Sequence, residues 1–177
     1  WMNFPMYYAF DGAPPPVRAG ASHATIYPYG PFVAGDGNSV MLGLQNEREW
    51  LQFCDVVMQD KTLASDPRFN NNRLRHDNRQ TLEAIILNVF ARMTAAQVIE
   101  KLDQAQIANA RVNAMADVWA HPQLKARERW VDIDSPVGKL PALLPPGQSD
   151  AFEYTMGAIP RVGEHTDQIL AEFGITL

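Results

Sequence analysis

The run Gly20-Ala21-Ser22-His23-Ala24-Thr25-Ile26-Tyr27-Pro28-Tyr29-Gly30 sets two hydroxyls, an imidazole and two phenols between two glycines, and an Asp36-Gly37 turn follows shortly after. Glycine loses more backbone freedom on folding than any other residue, so ordering this segment is costly. Such segments belong where a main chain must approach something closely, and loops of this kind often carry function. Among the four histidines, His23 is the one best placed to donate or accept a hydrogen bond at a site. His76, His121 and His165 are scattered, and neither His-Glu-x-x-His nor Cys-x-x-Cys occurs, so no metal site is expected. A Gly-x-Ser-x-Gly elbow, a P-loop and a dinucleotide fingerprint are missing from the sequence as well. Asp132 and Asp134 fall on one face of a predicted strand, where a solvated face is the simpler reading. The sequence therefore shows no complete catalytic set.

Composition narrows the classes. With 177 residues and 46% hydrophobic content the chain can bury a core of single-domain size. A net charge of -5, with no Lys/Arg run, argues against a nucleic-acid partner. The single cysteine, Cys54, lies beside Trp50, Leu51, Phe53 and Val57 and reads as a buried, inert helix residue in a reducing compartment. No apolar run approaches the roughly 18 residues of a membrane span, and the start WMNFPMYYAF has neither a charged n-region nor a small-residue cleavage site. A cytoplasmic location without membrane association is the expectation.

The elements that must position the loop follow from local signals. Residues 24–29 read as extended, because the residue before a proline is pushed to the β region. Phe32–Ala34 and Ser39–Leu44 flank Gly35-Asp36-Gly37-Asn38, a hairpin signal. Asn46, with Glu49 three residues on, marks a capping box and a helix over 47–58 that buries Trp50, Leu51, Cys54 and Val57 or Met58. Asp66-Pro67-Arg68-Phe69 reads as a turn with a buried Phe. A helix is predicted over 77–92, with Leu82, Ile85, Ile86, Val89 and Phe90 as its apolar stripe. Thr94 to Gln97 opens another helix to about Gln104, with Val98, Ile99 and Leu102 inward. An extended piece at 110–112, a brief helix over 115–119 ended by His121-Pro122, and a second hairpin around Val131, Ile133, Gly138 and Leu140 come next. A long irregular segment reaches about Pro160, and a last helix over 164–173 ends at Gly174. The fold class expected is α+β: a small domain over 23–129, a linker arm over 1–22 rich in aromatics and proline, and a second linker with C-terminal tail over 130–177.

Several of these segments, read in order, resemble one family. They are Gly20-Ala21, His23, Pro28-Tyr29-Gly30, Asp36-Gly37, Asn46 with Trp50, Asp66-Pro67-Arg68-Phe69, Arg75, Pro122-Gln123, Ala126-Arg127 and Gly163-Glu164-His165-Thr166. Together they resemble the C-terminal portion of class III CoA-transferases, a family that includes formyl-CoA and carnitine-type transferases and the α-methylacyl-CoA racemases. The resemblance implies an enzyme that moves CoA from an acyl-CoA donor to a carboxylic acid, with a small dicarboxylate as the expected acceptor. It would act through covalent intermediates on an aspartate. It also implies that the nucleophilic Asp and the Rossmann-like large domain lie upstream of Trp1, leaving no catalytic residue here. CoA enters as substrate, with no permanently bound cofactor, and the subunits form an intertwined homodimer.

In the formyl-CoA branch a glycine-rich loop covers the nucleophile at the position of Gly20 to His23; this chain keeps Gly20 and substitutes Ala21, Ser22 and His23. By that resemblance Gly20, Ser22, His23, Tyr27, Tyr29 and Asn46 are the expected substrate-binding residues. The racemase branch needs an acidic residue where this chain has Gln45-Asn46. An amide cannot shuttle a proton at neutral pH, which favours transfer over racemisation, unless Glu47 takes that position. A noncatalytic binding or dimerisation module is the alternative of a different class.

Overall fold

The computed structural model describes Met6, Gly12, residues 17–147 and residues 149–175. The aromatic and proline-rich run Trp1, Phe4, Tyr7, Tyr8, Phe10 and Pro14 to Pro16 lies outside the described residues, as does most of the expected arm 1–22. The chain is α+β, with a three-stranded and a two-stranded antiparallel sheet and several helices. It divides into two compact units, with the boundary in sequence between Val112 and Asn113.

The first unit is built on β1 (Tyr29–Val33), β2 (Ser39–Gly43) and β3 (Ala108–Arg111), in the order β1-β2-β3. The predicted hairpin forms with Phe32 opposite Val40 and Gly30 opposite Leu42. At its tip Gly37 has φ +79, the positive value that an Asp-Gly turn requires, and Asp36 Oδ1 accepts from the Asn38 amide at 3.1 Å. The extended piece predicted near 110–112 becomes β3, with Asn109 opposite Leu42.

Helix α1 (Glu47–Gln52) begins at Asn46, whose Oδ1 accepts from the Glu49 amide at 3.0 Å. The Glu49 carboxylate returns to the Gln45 amide at 2.7 Å and to Asn46 Nδ2 at 2.8 Å, a variant of the expected box. From Phe53 to Val57 the helix widens to a π-turn, with the Met58 amide bonded to the Phe53 carbonyl at 2.9 Å. Trp50, Phe53, Cys54 and Val57 are thereby buried, whereas Leu51, expected inward, is 55% exposed. Trp50 and Phe53 stack with ring centroids 6.1 Å apart. A short helix α2 (Thr62–Ser65) precedes the Asp66 turn, where Phe69 is fully buried as expected.

The helix predicted over 77–92 forms over 79–90, and a further short helix, not predicted, precedes it. Asn78, at φ -103 and ψ 23, separates α3 (Asn72–Asp77) from α4 (Arg79–Phe90). Leu82, Ile86 and Phe90 of α4 are fully buried; Ile85 and Val89 pack at the core edge. Helix α5 (Ala95–Gln104) starts on the predicted Thr94–Gln97 capping box and packs on β2, β3 and the 53–57 turn through Val98 and Leu102. No single helix among the described residues is long and apolar enough to cross a membrane.

The second unit carries α6 (Met115–Trp119), α7 (Pro122–Ala126), the hairpin of β4 (Trp130–Ile133) and β5 (Leu140–Leu143), and α8 (Thr166–Glu172). The second hairpin forms as expected, with Ile133 opposite Leu140. Helix α6 stops before His121-Pro122 as expected; Pro122 also occupies the first turn of α7, and His121 Nδ1 accepts from the Gln123 amide at 3.2 Å to cap it. Trp119 and Trp130 lie with ring centroids 4.1 Å apart. The Arg129 side chain, 5% exposed, donates to the carbonyls of Leu144 and Pro145. No helix or strand occurs among the described residues from 144 to 160, although the Ile159 amide returns to the Asp134 carbonyl at 2.8 Å. Helix α8 ends at Gly174 (φ +63), with the Ile175 amide bonded to the Leu170 carbonyl at 2.9 Å.

Candidate functional site

The glycine-flanked loop folds back on the root of the first hairpin. Gly20, at φ +63, sits in an exposed turn closed by the Ser22 amide on the Ala19 carbonyl at 3.1 Å. The His23 amide then donates to the Tyr29 carbonyl at 3.0 Å, and the His23 and Tyr29 rings stack with centroids 5.2 Å apart. Gly30 permits this return: a Cβ there would lie 2.6 Å from Ser22 Oγ and 3.2 Å from the Ser22 backbone. The Tyr29 ring rests on the bare face of Gly43, about 3.0 Å from where a Cβ would be.

The half-buried imidazole of His23 has its two nitrogens in different situations. Nδ1 accepts from the Thr25 amide at 3.1 Å and from the Ile26 amide at 3.0 Å. A nitrogen that accepts two amide protons carries none of its own, so the ring proton is on Nε2. Nε2 has no protein partner among the described residues. Ser22, beside it, is exposed. Tyr27 occupies a different place: its ring is 8% exposed, meets Phe32 edge-on at 6.2 Å, and belongs to the core. The Tyr27 hydroxyl is buried without a partner among the described residues, and burial raises its pKa well above the ordinary value. Asn46 is engaged in capping α1. The structure thus brings Ser22, His23 and Tyr29 together at Gly30, leaves Gly20 in the exposed turn before them, and places Tyr27 in the core.

No role follows from sequence for the residues behind the loop, although Arg75 is one of those that carry the resemblance. Arg75, 2% exposed, donates from Nε to the Tyr27 carbonyl at 3.0 Å and from Nη1 to the Phe69 carbonyl at 3.1 Å. Its fork also grips both oxygens of Glu47 at 2.9 Å, and its guanidinium lies 4.8 Å over the Trp50 ring. These hydrogen bonds hold the Glu47 carboxyl below the ordinary glutamate range. Asn72 Nδ2 donates to the Thr25 carbonyl at 3.0 Å, and its Oδ1 accepts from the Tyr27 amide at 3.1 Å. His76 Nε2 donates to the Ala24 carbonyl at 3.0 Å. The signal for α3 was available in Asn71, whose Oδ1 caps it through the Leu74 amide at 3.0 Å. No sequence signal pairs Arg75 with Glu47.

Other groups are poor candidates. Burial pushes the Cys54 thiol up to about 12, which leaves it un-ionised and unreactive. Among the described residues no three His, Cys, Asp or Glu side chains gather into a group that could hold a metal. A surface depression of about 300 Å³ is lined by Met93 and by Gln97, Glu100, Lys101 and Gln104 of α5, and includes nothing from the loop.

Residues 1–166 match the family described as CoA-transferase family III. The chain is 29% identical over 172 residues to the succinyl-CoA:mesaconate CoA-transferase of Haloarcula hispanica, covering 95% of this chain and 42% of that protein. To the succinate–glutarate CoA-transferase of Agrobacterium fabrum it is 25% identical over 173 residues, with 96% and 42% covered. A crystal structure of a CAIB/BAIF family protein from Brucella suis superposes with a TM-score of 0.77 at 28% identity, covering 96% of this chain and 43% of that one. The chain therefore spans well under half the length of the relatives it matches.

Proposed function

The chain belongs to CoA-transferase family III, and from that premise we propose that it forms part of an enzyme moving CoA between small dicarboxylates. The observation that carries the reading is the family match over residues 1–166, joined to relatives named for succinate, glutarate and mesaconate.

In this reading a carboxylate outside these 177 residues, an aspartate in the family pattern, attacks the donor thioester carbonyl and expels CoA thiolate. The mixed anhydride that results is opened by the same thiolate at the enzyme's carbonyl, which releases the donor acid and leaves an enzyme thioester. The acceptor carboxylate then attacks this thioester and the thiolate returns to the new acyl carbonyl, regenerating the free enzyme carboxylate. Water would hydrolyse the anhydride, so the site needs a cover and fixed donors for an incoming carboxylate. The 20–30 loop would supply both: a segment tied down at His23 and Tyr29, and an Nε2–H, with the exposed hydroxyl of Ser22 next in sequence, to hold the carboxylate. The segments flanking 23–129 serve as arms to the rest of the enzyme and to a second subunit, with CoA as substrate and no resident cofactor.

The racemase alternative is disfavoured by the strand-to-helix junction. Asn46 is an amide used as a cap, and Glu47, the nearest acid, is gripped by Arg75 and kept ionised, which makes it a poor proton donor.

The test is to incubate the whole protein with succinyl-CoA and glutarate or mesaconate and follow the CoA esters by mass spectrometry. Formation of the acceptor thioester with release of succinate is expected. Deuterium uptake at the α-carbon of a 2-methylacyl-CoA without ester exchange would point to racemisation instead. No turnover of either kind would leave a noncatalytic module.

A further inference from the structure

Helix α3 touches the loop at successive main-chain groups: His76 at the Ala24 carbonyl, Asn72 at the Thr25 carbonyl and the Tyr27 amide, Arg75 at the Tyr27 carbonyl. The side chains span 45 to 52 residues of sequence to do so. Asn72 is itself fixed, because its amide donates to Glu47 Oε1 at 3.2 Å and Glu47 is held by Arg75. We propose that Asn72, backed by Glu47 and Arg75, is a positioning residue that sets His23 as an Nε2–H donor.

The link runs through the backbone. By bonding both the Thr25 carbonyl and the Tyr27 amide, Asn72 fixes the peptide planes on either side of Ile26. The Ile26 amide, in the plane of the Thr25 carbonyl, is thereby aimed at His23 Nδ1 at 3.0 Å, and the Thr25 amide, in the plane of the Ala24 carbonyl that His76 holds, joins it at 3.1 Å. Two converging donors exclude a proton from Nδ1 and place it on Nε2, the nitrogen with no protein partner among the described residues. Stacking on Tyr29 restricts rotation of the ring. An amide side chain without contact to the imidazole thereby determines which nitrogen donates and where. The chemical class that suits such a fixed neutral donor is a carboxylate, so the proposal rests on the preceding reading for its ligand but not for the tautomer itself.

Nitrogen NMR of the labelled chain reads the tautomer directly. The wild type should show His23 as a single Nε2–H tautomer, with the Thr25 and Ile26 amides slow to exchange. Asn72→Ala should shift the His23 nitrogens to the mixed tautomer ratio of the exposed His165, while thermal melting remains cooperative. In the whole enzyme the same variant should raise KM for the acceptor acid more than it lowers kcat. His76→Ala, which removes only the bond to the Ala24 carbonyl, should shift the tautomer in the same direction by less, and serves if Asn72→Ala does not fold. A wild-type His23 protonated on Nδ1 would overturn the proposal, as would a folded variant with His23 signals unchanged. Absence of CoA transfer by the whole protein would remove the reading above and leave the tautomer comparison standing.

Discussion

The two units differ in where their apolar side chains go. Among the described residues, every buried hydrophobic side chain lies between Tyr27 and Ile107, in the first unit. The second unit holds no buried hydrophobic side chain among its described residues, although Arg129 is buried. Met115, Trp119, Phe152, Val162, Ile169 and Phe173 are all at least half exposed. The first unit therefore draws its stability from burial, and the second takes its shape from caps, turns and hairpin bonds. The loop with His23 is mounted on the unit that has a core, which suits a group whose orientation matters.

Substitutions should separate the units sharply. Phe90→Ala, which empties a fully buried site against Phe32, should cost about 3–5 kcal/mol in urea unfolding of the first unit. A cost below about 1 kcal/mol would contradict the core described. Arg75→Met should cost about 2–3 kcal/mol, because the Tyr27 and Phe69 carbonyls lose their donor while half-exposed Glu47 recovers hydration.

The acid response should track the same pair. Glu47 has its folded pKa depressed below the ordinary value of 4.5, so its contribution is complete above that pH and is lost as pH falls through the depressed value. The stability gap between wild type and Arg75→Met should thus narrow on acidification below pH 4.5, measured by denaturant midpoints across pH. A constant gap would show that the ion pair is not its source. Phe173→Ala, in the second unit, should change the stability of the isolated chain by no more than about 0.5 kcal/mol. A large loss there would reveal a core that the structure does not show.

What could be read from sequence was local. The hairpin at Asp36-Gly37, the caps at Asn46 and Thr94 and the helix end at Gly174 each depend on residues a few positions apart, and each forms. The brief helix over 115–119 forms and stops before His121-Pro122 as expected, but the helix that Pro122 then opens was missed, because proline both ends helices and begins them. Leu51 lies outward because Trp50, Phe53, Cys54 and Val57, at i, i+3, i+4 and i+7, already make up the buried stripe. The clamp on the loop comes from long-range bonds, with Arg75 reaching 28 residues to Glu47 and 48 to Tyr27. At the candidate site, residue types pointed to His23 and Tyr29. The burial of Tyr27 and the roles of Asn72 and Arg75 depended on contacts that exist only in the folded unit.

The most direct check on the role given to the loop is steady-state kinetics of His23→Ala in the whole protein, with succinyl-CoA as donor and a dicarboxylate as acceptor. Loss of one hydrogen bond to a charged group predicts a fall in kcat/KM for the acceptor of about tenfold or more. Both kinetic constants unchanged from wild type would contradict the account.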